Sequence, residues 1–327
     1  MIAGVDFPLP YPLSEHPVRV VGGGLALLGA VTGVIGTFAV VRRQSLQGDA
    51  VSHAALPGVA LAFLLGGRTP FALILGGAVA GWVAMRLVGG IVRRSRIPFD
   101  TALAGALAVF FGAGLALVGY MSRLINRTPA NGFEVWLKPQ LDGLRNNPLE
   151  RYLFGQAAFL NESDVWPILL LGGGAVLVAV LCWKEFKLVS FDPDFAASLG
   201  YATRWIDALL TTLVVVSVVI GLQTVGVVLM SALLVAPATA ARQWTHRLGV
   251  MAGIAAVFGA VAGIAGVLIS HTLSEGRNPI PTGPTVVLCA TAVVVLSLLF
   301  GSKSGLLWRV VKAKPDGQYG GSNLRNT

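Results

Sequence analysis

The chain has 327 residues, of which 55% are hydrophobic and 12% charged, with 24 Lys and Arg against 15 Asp and Glu. A soluble domain carries about 25% charged residues, so this composition excludes a water-soluble globule and points to an all-α polytopic membrane protein. The net charge of +9 is better explained by basic cytoplasmic loops than by nucleic-acid binding.

Residues 1–19 are acidic and Pro-rich and lack the basic start of a signal peptide, so they are predicted to stand outside the membrane, with the first span doing the targeting. Apolar runs follow at 20–41, 49–67, 70–92, 100–122, 164–183, 205–222, 225–241, 248–270 and 282–301. Each is close to the length that crosses about 30 Å of hydrocarbon as a helix. Nine spans are predicted, or eight if one weaker run is a half-helix. The break between the sixth and seventh rests on Gln223, Thr224 and Gly226 alone. GxxxG pairs at Gly29–Gly33, Gly77–Gly81 and Gly259–Gly263 predict close helix packing. Cys182 and Cys289 lie in apolar runs and read as packing residues rather than a disulfide.

Alternate loops carry Arg42–Arg43, Arg93–Arg94–Arg96, Lys184–Lys187–Arg204 and Arg242–Arg247, and the tail carries Lys303, Arg309, Lys312, Lys314 and Arg325. Together they hold 15 of the 24 basic residues, which places these loops in the cytoplasm, the N-terminus outside and the C-terminus inside. The long loop 123–163 is then an ordered outer cap between parts of a transmembrane domain over 20–302. The tail 303–327 is expected to be disordered and held by its lysines at an anionic lipid surface.

Polar residues inside this frame mark candidate sites. Asp49 and His53 are four apart and share one helix face. Asp at the centre of a span costs about 2.5–3.5 kcal/mol, and residues so placed usually line a pathway. Carboxylate plus imidazole suits zinc, manganese or iron(II). The alternative is that Asp49 merely opens the helix after Gly48, complementing its dipole, and that His53 is a packed histidine. Pro57–Gly58 would kink the same helix and free backbone carbonyls. His271 and Glu275 repeat the spacing at the outer end of the eighth run, as a metal entry site or as a solvated helix end. His246, beside Arg242 and Arg247, reads as a surface residue.

The stretch SFDPDFAASLGYATRWIDALL, 190–210, is polar and amphipathic between apolar runs, and it suits docking on another protein at the cytoplasmic surface. No Walker A, HExxH or GxSxG pattern occurs, so an ATP-driven mechanism needs a separate subunit that binds and hydrolyses ATP.

Four blocks carry a family resemblance: RRQSLQGDAVSHAALPGVALAFLLGG (42–67), KLVSFDPDFAASLGYATRWIDALL (187–210), VGVVLMSALLVAPATAARQWT (225–245) and PTGPTVVLCATAVVVLSLLFG (281–301). In this order they resemble the permeases of metal-type ABC importers, the ABC-3 family. The resemblance implies a type II importer fold in the bacterial cytoplasmic membrane. Its partners would be a second permease subunit, identical or paralogous, a cytoplasmic ABC ATPase and an extracytoplasmic metal-binding protein. The chain would hold no permanent cofactor and catalyse nothing itself. It further implies that Asp192, Asp194, Phe195, Ala197 and Gly200, within a coupling segment over 184–204, contact the ATPase, and that Asp49 and His53 touch the ion transiently.

There are departures. His271 stands where the family often has an uncharged residue, and the long outer loop with RYLFGQAA resembles the manganese and iron branch. A siderophore or cobalamin permease would keep the fold, but the acidic–histidine pair speaks against a bulky chelate. A secondary metal carrier would be expected to show more intramembrane carboxylates and an inverted repeat.

Overall fold

The computed structural model describes residues 16–65, 69–125, 162–274 and 280–301, which are helix and connecting turn throughout. Residues 1–15, most of loop 123–163, Glu275 and the tail from 302 lie outside the described residues. In chain order the helices are α1 (His16–Val41), α2 (Gln47–Leu64), α3 (Pro70–Arg94) and α4 (Phe99–Ile125). Then come α5 (Glu162–Pro167), a π-helical turn (Ile168–Gly172), α6 (Gly173–Leu181), α7 (Trp183–Phe191) and α8 (Pro193–Ser198). The last four are α9 (Thr203–Val225), α10 (Val227–Arg242), α11 (Leu248–Leu273) and α12 (Thr282–Phe300).

The nine predicted runs all fall on helices, but the helices are not alike. Six of them, α1, α3, α4, α9, α11 and α12, are each long and apolar enough to cross a membrane. The run through α5 and α6 joins α7 with a bend of 72°, and is a seventh if that pair counts as one span. The remaining two runs are α2, with Asp49 in its first turn, and α10, whose 16 residues reach about 24 Å at 1.5 Å per residue. That is less than the about 30 Å of hydrocarbon a lone span must cover. The chain is a multi-pass membrane protein of the predicted all-α class.

Local sequence explains the boundaries. Thr69 caps α3 by accepting a hydrogen bond from the Ala72 amide, with Pro70 at the first helical position, and Arg93 and Arg94 fill its last turn. The weak break before the seventh run is a single residue, Gly226, whose φ of +89° ends α9 and starts α10. A side chain at that φ would be strained, so glycine is what lets two helices meet there. α2 continues through Pro57 as one helix.

α10 and α1 form the centre. α10 packs against α1, α2, α9, α11 and α12, and its Met230, Leu233, Leu234 and Ala238 are fully buried. α1 contributes Leu25, Leu28, Ile35 and Phe38. Thr32 on α1 donates to its own Leu28 carbonyl at 2.9 Å and lies 3.3 Å from the Leu233 carbonyl of α10, a polar link between the two helices. α2, α3 and α4 pack together, and α11 and α12 pack on each other.

Glycine sets how close the helices come. A Cβ on Gly29 would run into the Gly259 carbonyl and one on Gly259 into the Gly29 carbonyl; Gly33 meets Ala255, and Gly263 meets Leu25, in the same manner. Two of the predicted GxxxG pairs therefore face each other and make the α1–α11 contact. The third works differently. Gly77 and Gly81 face valine side chains, whereas the backbone contact between α2 and α3 is made by Gly58 against Gly76.

These contacts predict that Gly259→Leu destabilises the purified protein by about 1–3 kcal/mol through overpacking. Gly105→Ala, where a Cβ meets nothing within 4 Å, should not destabilise it. Thermal unfolding of the two variants in one detergent checks this.

Candidate functional site

The start of α2 is tucked into the bundle. Gln47 and Gly48 are buried, and Gly48 faces the Leu234 side chain of α10. Asp49 therefore sits in the first turn of the helix, not at the centre of a span, yet its neighbours on the chain are enclosed by protein. One turn on, His53 Nε2 lies 3.5 Å from Asp49 Oδ1, and the two side chains are 24% and 42% exposed. The imidazole stands edge-on to Phe111 of α4, with ring centroids 4.7 Å apart. Its Nδ1 is buried and has no hydrogen-bond partner among the described residues. Pro57 offers no amide proton to the His53 carbonyl, so that oxygen also lacks its helical partner. One turn of α2 thus presents a carboxylate, an imidazole and a freed carbonyl. No three of His, Cys, Asp and Glu come together among the described residues, so one chain brings two ionisable donors here.

His271 lies in the last turn of α11, half-buried, and Glu275 lies outside the described residues. The two pairs are on different helices. His246 is in the turn between α10 and α11, outside any helix, and is exposed.

The polar stretch after α6 builds a surface feature. The span leaves its axis by 72° at Cys182, and α7 is fastened to α1 by an aromatic cluster: Phe38 meets Trp183 and Phe186 edge-on, at centroid distances of 5.2 and 5.7 Å. Asp192 then caps α8, its Oδ1 accepting the Phe195 amide at 2.9 Å, with Pro193 at the first helical position. Gly200, at φ +84°, ends α8 in the left-handed conformation, and the Tyr201 amide bonds back to the Ala196 carbonyl at 3.1 Å. Asp192 and Gly200 thus shape the helix, while Asp194, Phe195 and Ala197 are exposed on it. Leu199, Tyr201 and Trp205 extend the exposed apolar surface, with Trp205 at 79%. The sequence reading placed them in the docking stretch 190–210 but gave Tyr201 and Trp205 no role of their own.

A further group was also missed. Asp207, in the second turn of α9, takes Arg42 Nη2 on one carboxylate oxygen and Arg93 Nη2 on the other, the latter at 3.4 Å. Arg42 follows α1 and Arg93 ends α3, so two loops predicted to be cytoplasmic lie on the same side of the bundle. Asp207 is the sole acidic residue in the run 205–222, and that was the available signal.

A family model described as the ABC 3 transport family matches residues 18–301. The chain belongs to that family. It is 39% identical over 298 residues to a zinc transport system membrane protein, TroC, of Treponema pallidum, covering 91% of this chain and 93% of that one. It is 41% identical over 303 residues to a manganese transport system membrane protein, MntC, of Bacillus subtilis, covering 91% of this chain and 64% of that longer relative. Among solved structures it resembles PsaBC from Streptococcus pneumoniae in complex with Fab, with a TM-score of 0.73, 27% identity and coverage of 92% and 96%. A putative metal-chelate type ABC transporter in an inward-facing conformation has the same fold at a TM-score of 0.52 and 18% identity, covering 91% and 84%.

The caps on α8 make a specific prediction. Asp192→Ala should cost about 1 kcal/mol of local stability. It would raise amide exchange across residues 193–201 while leaving α9 protected; unchanged exchange would remove Asp192 from the capping role.

Proposed function

We propose that this chain is the membrane-spanning subunit of an ATP-driven importer for a divalent transition metal ion: zinc, manganese or iron(II). The observation that carries this reading is the Asp49–His53 pair on α2, in a chain that belongs to the ABC 3 transport family. Relatives are named for zinc and for manganese transport, and a carboxylate with an imidazole is a donor set that all three ions accept. Two ionisable ligands per chain hold an ion without closing its coordination sphere, which suits passage better than storage. A second permease subunit, identical or paralogous, would supply another pair across the pathway.

Energy enters from a separate cytoplasmic ATPase, since no Walker A pattern is present. Its docking face is the α8 surface: Asp194, Phe195 and Ala197 make contact, and Asp192 and Gly200 keep the helix in shape. An extracytoplasmic metal-binding protein delivers the ion to the opposite side, where loop 123–163 receives it and His271 with Glu275 stands at the entrance. The N-terminus and residues 1–19 then lie outside a bacterial cytoplasmic membrane. Residues 20–302 form the permease domain, and the basic tail lies at the inner surface. The metal is cargo, and ATP is held by the partner.

The test is cellular metal content by elemental mass spectrometry. The chain is expressed with its ATPase, second subunit and metal-binding protein. Selective gain of one divalent metal is expected. Asp49→Ala and His53→Ala should each return the gain to the background of cells without the chain, while the complex still assembles. Normal gain in either variant would remove that residue from the pathway.

A second prediction concerns docking. Phe195→Asp places a charge on the apolar α8 surface and should prevent co-purification of the ATPase. Retained co-purification would place the docking face elsewhere.

A further inference from the structure

Helix α8 packs on α7 and α9, its neighbours in the chain. A displacement of α8 therefore has two routes into the bundle. Through α7 it meets the aromatic cluster on Phe38 of α1. Through α9 it meets Asp207 within two turns.

The second route has a defined end point. Asp207 joins three elements: its own helix, Arg42 after α1, and Arg93 at the end of α3. Arg42 and Asp207 are only 17% and 29% exposed, so this pair is screened less than a surface ion pair. From Arg42 the chain runs through one hydrogen-bonded turn to α2. Arg43 holds a left-handed φ of +56°, the Gln44 amide bonds the Ala39 carbonyl at 2.9 Å, and the Gln47 amide bonds the Gln44 carbonyl at 3.0 Å. Asp49 follows in the next turn. A cavity of about 520 Å³ adjoins these groups. It is lined by Ser190, Pro193 and Thr203 on the coupling side and by Gln47, Met85 and Phe99 on the bundle side. The coupling side is thus not packed solidly against the bundle, and the Asp207 bonds cross beside open space in which either side has room to shift.

We propose that Asp207 is a positioning residue that latches the coupling segment to the start of α2, so that movement of α8 and α9 is delivered through Arg42 to the helix carrying Asp49 and His53. Resting on the importer reading above, it names how that site is controlled. The bland role, a clip that only holds three cytoplasmic helix ends together, makes a different prediction.

The experiment uses the full complex of this chain, its second subunit, its ATPase and its metal-binding protein, in lipid nanodiscs for amide exchange and in sealed proteoliposomes for transport. Amide exchange of residues 47–64 is followed with and without ATP and vanadate. In the wild type, ATP should change exchange in α2. In Asp207→Asn that change should disappear while peptides from α8 still respond, and metal carried per ATP hydrolysed should fall between about twofold and thirtyfold. Asp207→Glu, which keeps the charge, should restore both. If α2 answers ATP in Asp207→Asn as in the wild type, or does not answer in the wild type, the latch is overturned. Loss of the response in α8 as well would also overturn it and leave the clip. Should Asp207→Asn fail to assemble, Arg42→Gln, which removes the other end of the same latch, decides by the same comparison. If cells gain no metal while the α2 response still depends on Asp207, the cargo assignment fails and the latch stands.

Discussion

Backbone contact through glycine is the constraint on which the rest of this molecule depends. In hydrocarbon, helices gain little by hiding apolar side chains from one another, so association relies on close packing and on polar links. Gly29 against Gly259, and Gly58 against Gly76, bring main chain to main chain. The first contact fixes α1 on α11. The second fixes α2 on α3, one residue after Pro57 and a little over one turn from His53. The donor pair therefore stands beside a point where α2 lies main chain to main chain with α3, and its position is inherited from a packing contact that carries no chemistry itself.

Polar groups in this bundle divide by how they are satisfied. Thr32, Ser52 and Ser217 return their hydroxyl protons to carbonyls within their own helices. Asp207 is answered by two guanidinium groups. His53 keeps a buried ring nitrogen without a partner among the described residues. A buried polar atom left unsatisfied costs about 1–3 kcal/mol, and that cost falls on the helix turn that carries the proposed metal contacts.

Much of this was legible in the sequence. Hydropathy located nine helices because lipid leaves long apolar runs no other choice, and the polar DPDFAASLG stretch marked a surface segment, whose caps at Asp192 and Gly200 came from the structure. Two of three GxxxG pairs were found as contacts. What sequence could not supply was partnership across distance. Asp207 is separated from Arg42 and Arg93 by more than a hundred residues, and no local period joins them. The same limit hid Gly58 and Gly76, which act as single residues in facing helices. The depth of Asp49 was also out of reach, because a run of apolar residues does not say that its helix begins inside the bundle.

The bend at Cys182 has a mechanical meaning. α7 is a nine-residue arm, about 14 Å long, set at 72° to the span it continues. Near its root it bears on Phe38 through Trp183 and Phe186, and α8 is carried at its tip. Such an arrangement is a lever with an aromatic fulcrum. A push on α8 along the membrane normal, whatever its source, reaches α6 as torque about Cys182 and not as sliding along the helix axis. Geometry of this kind converts a small displacement at the surface into a change of angle between helices, with no helix drawn along its own axis.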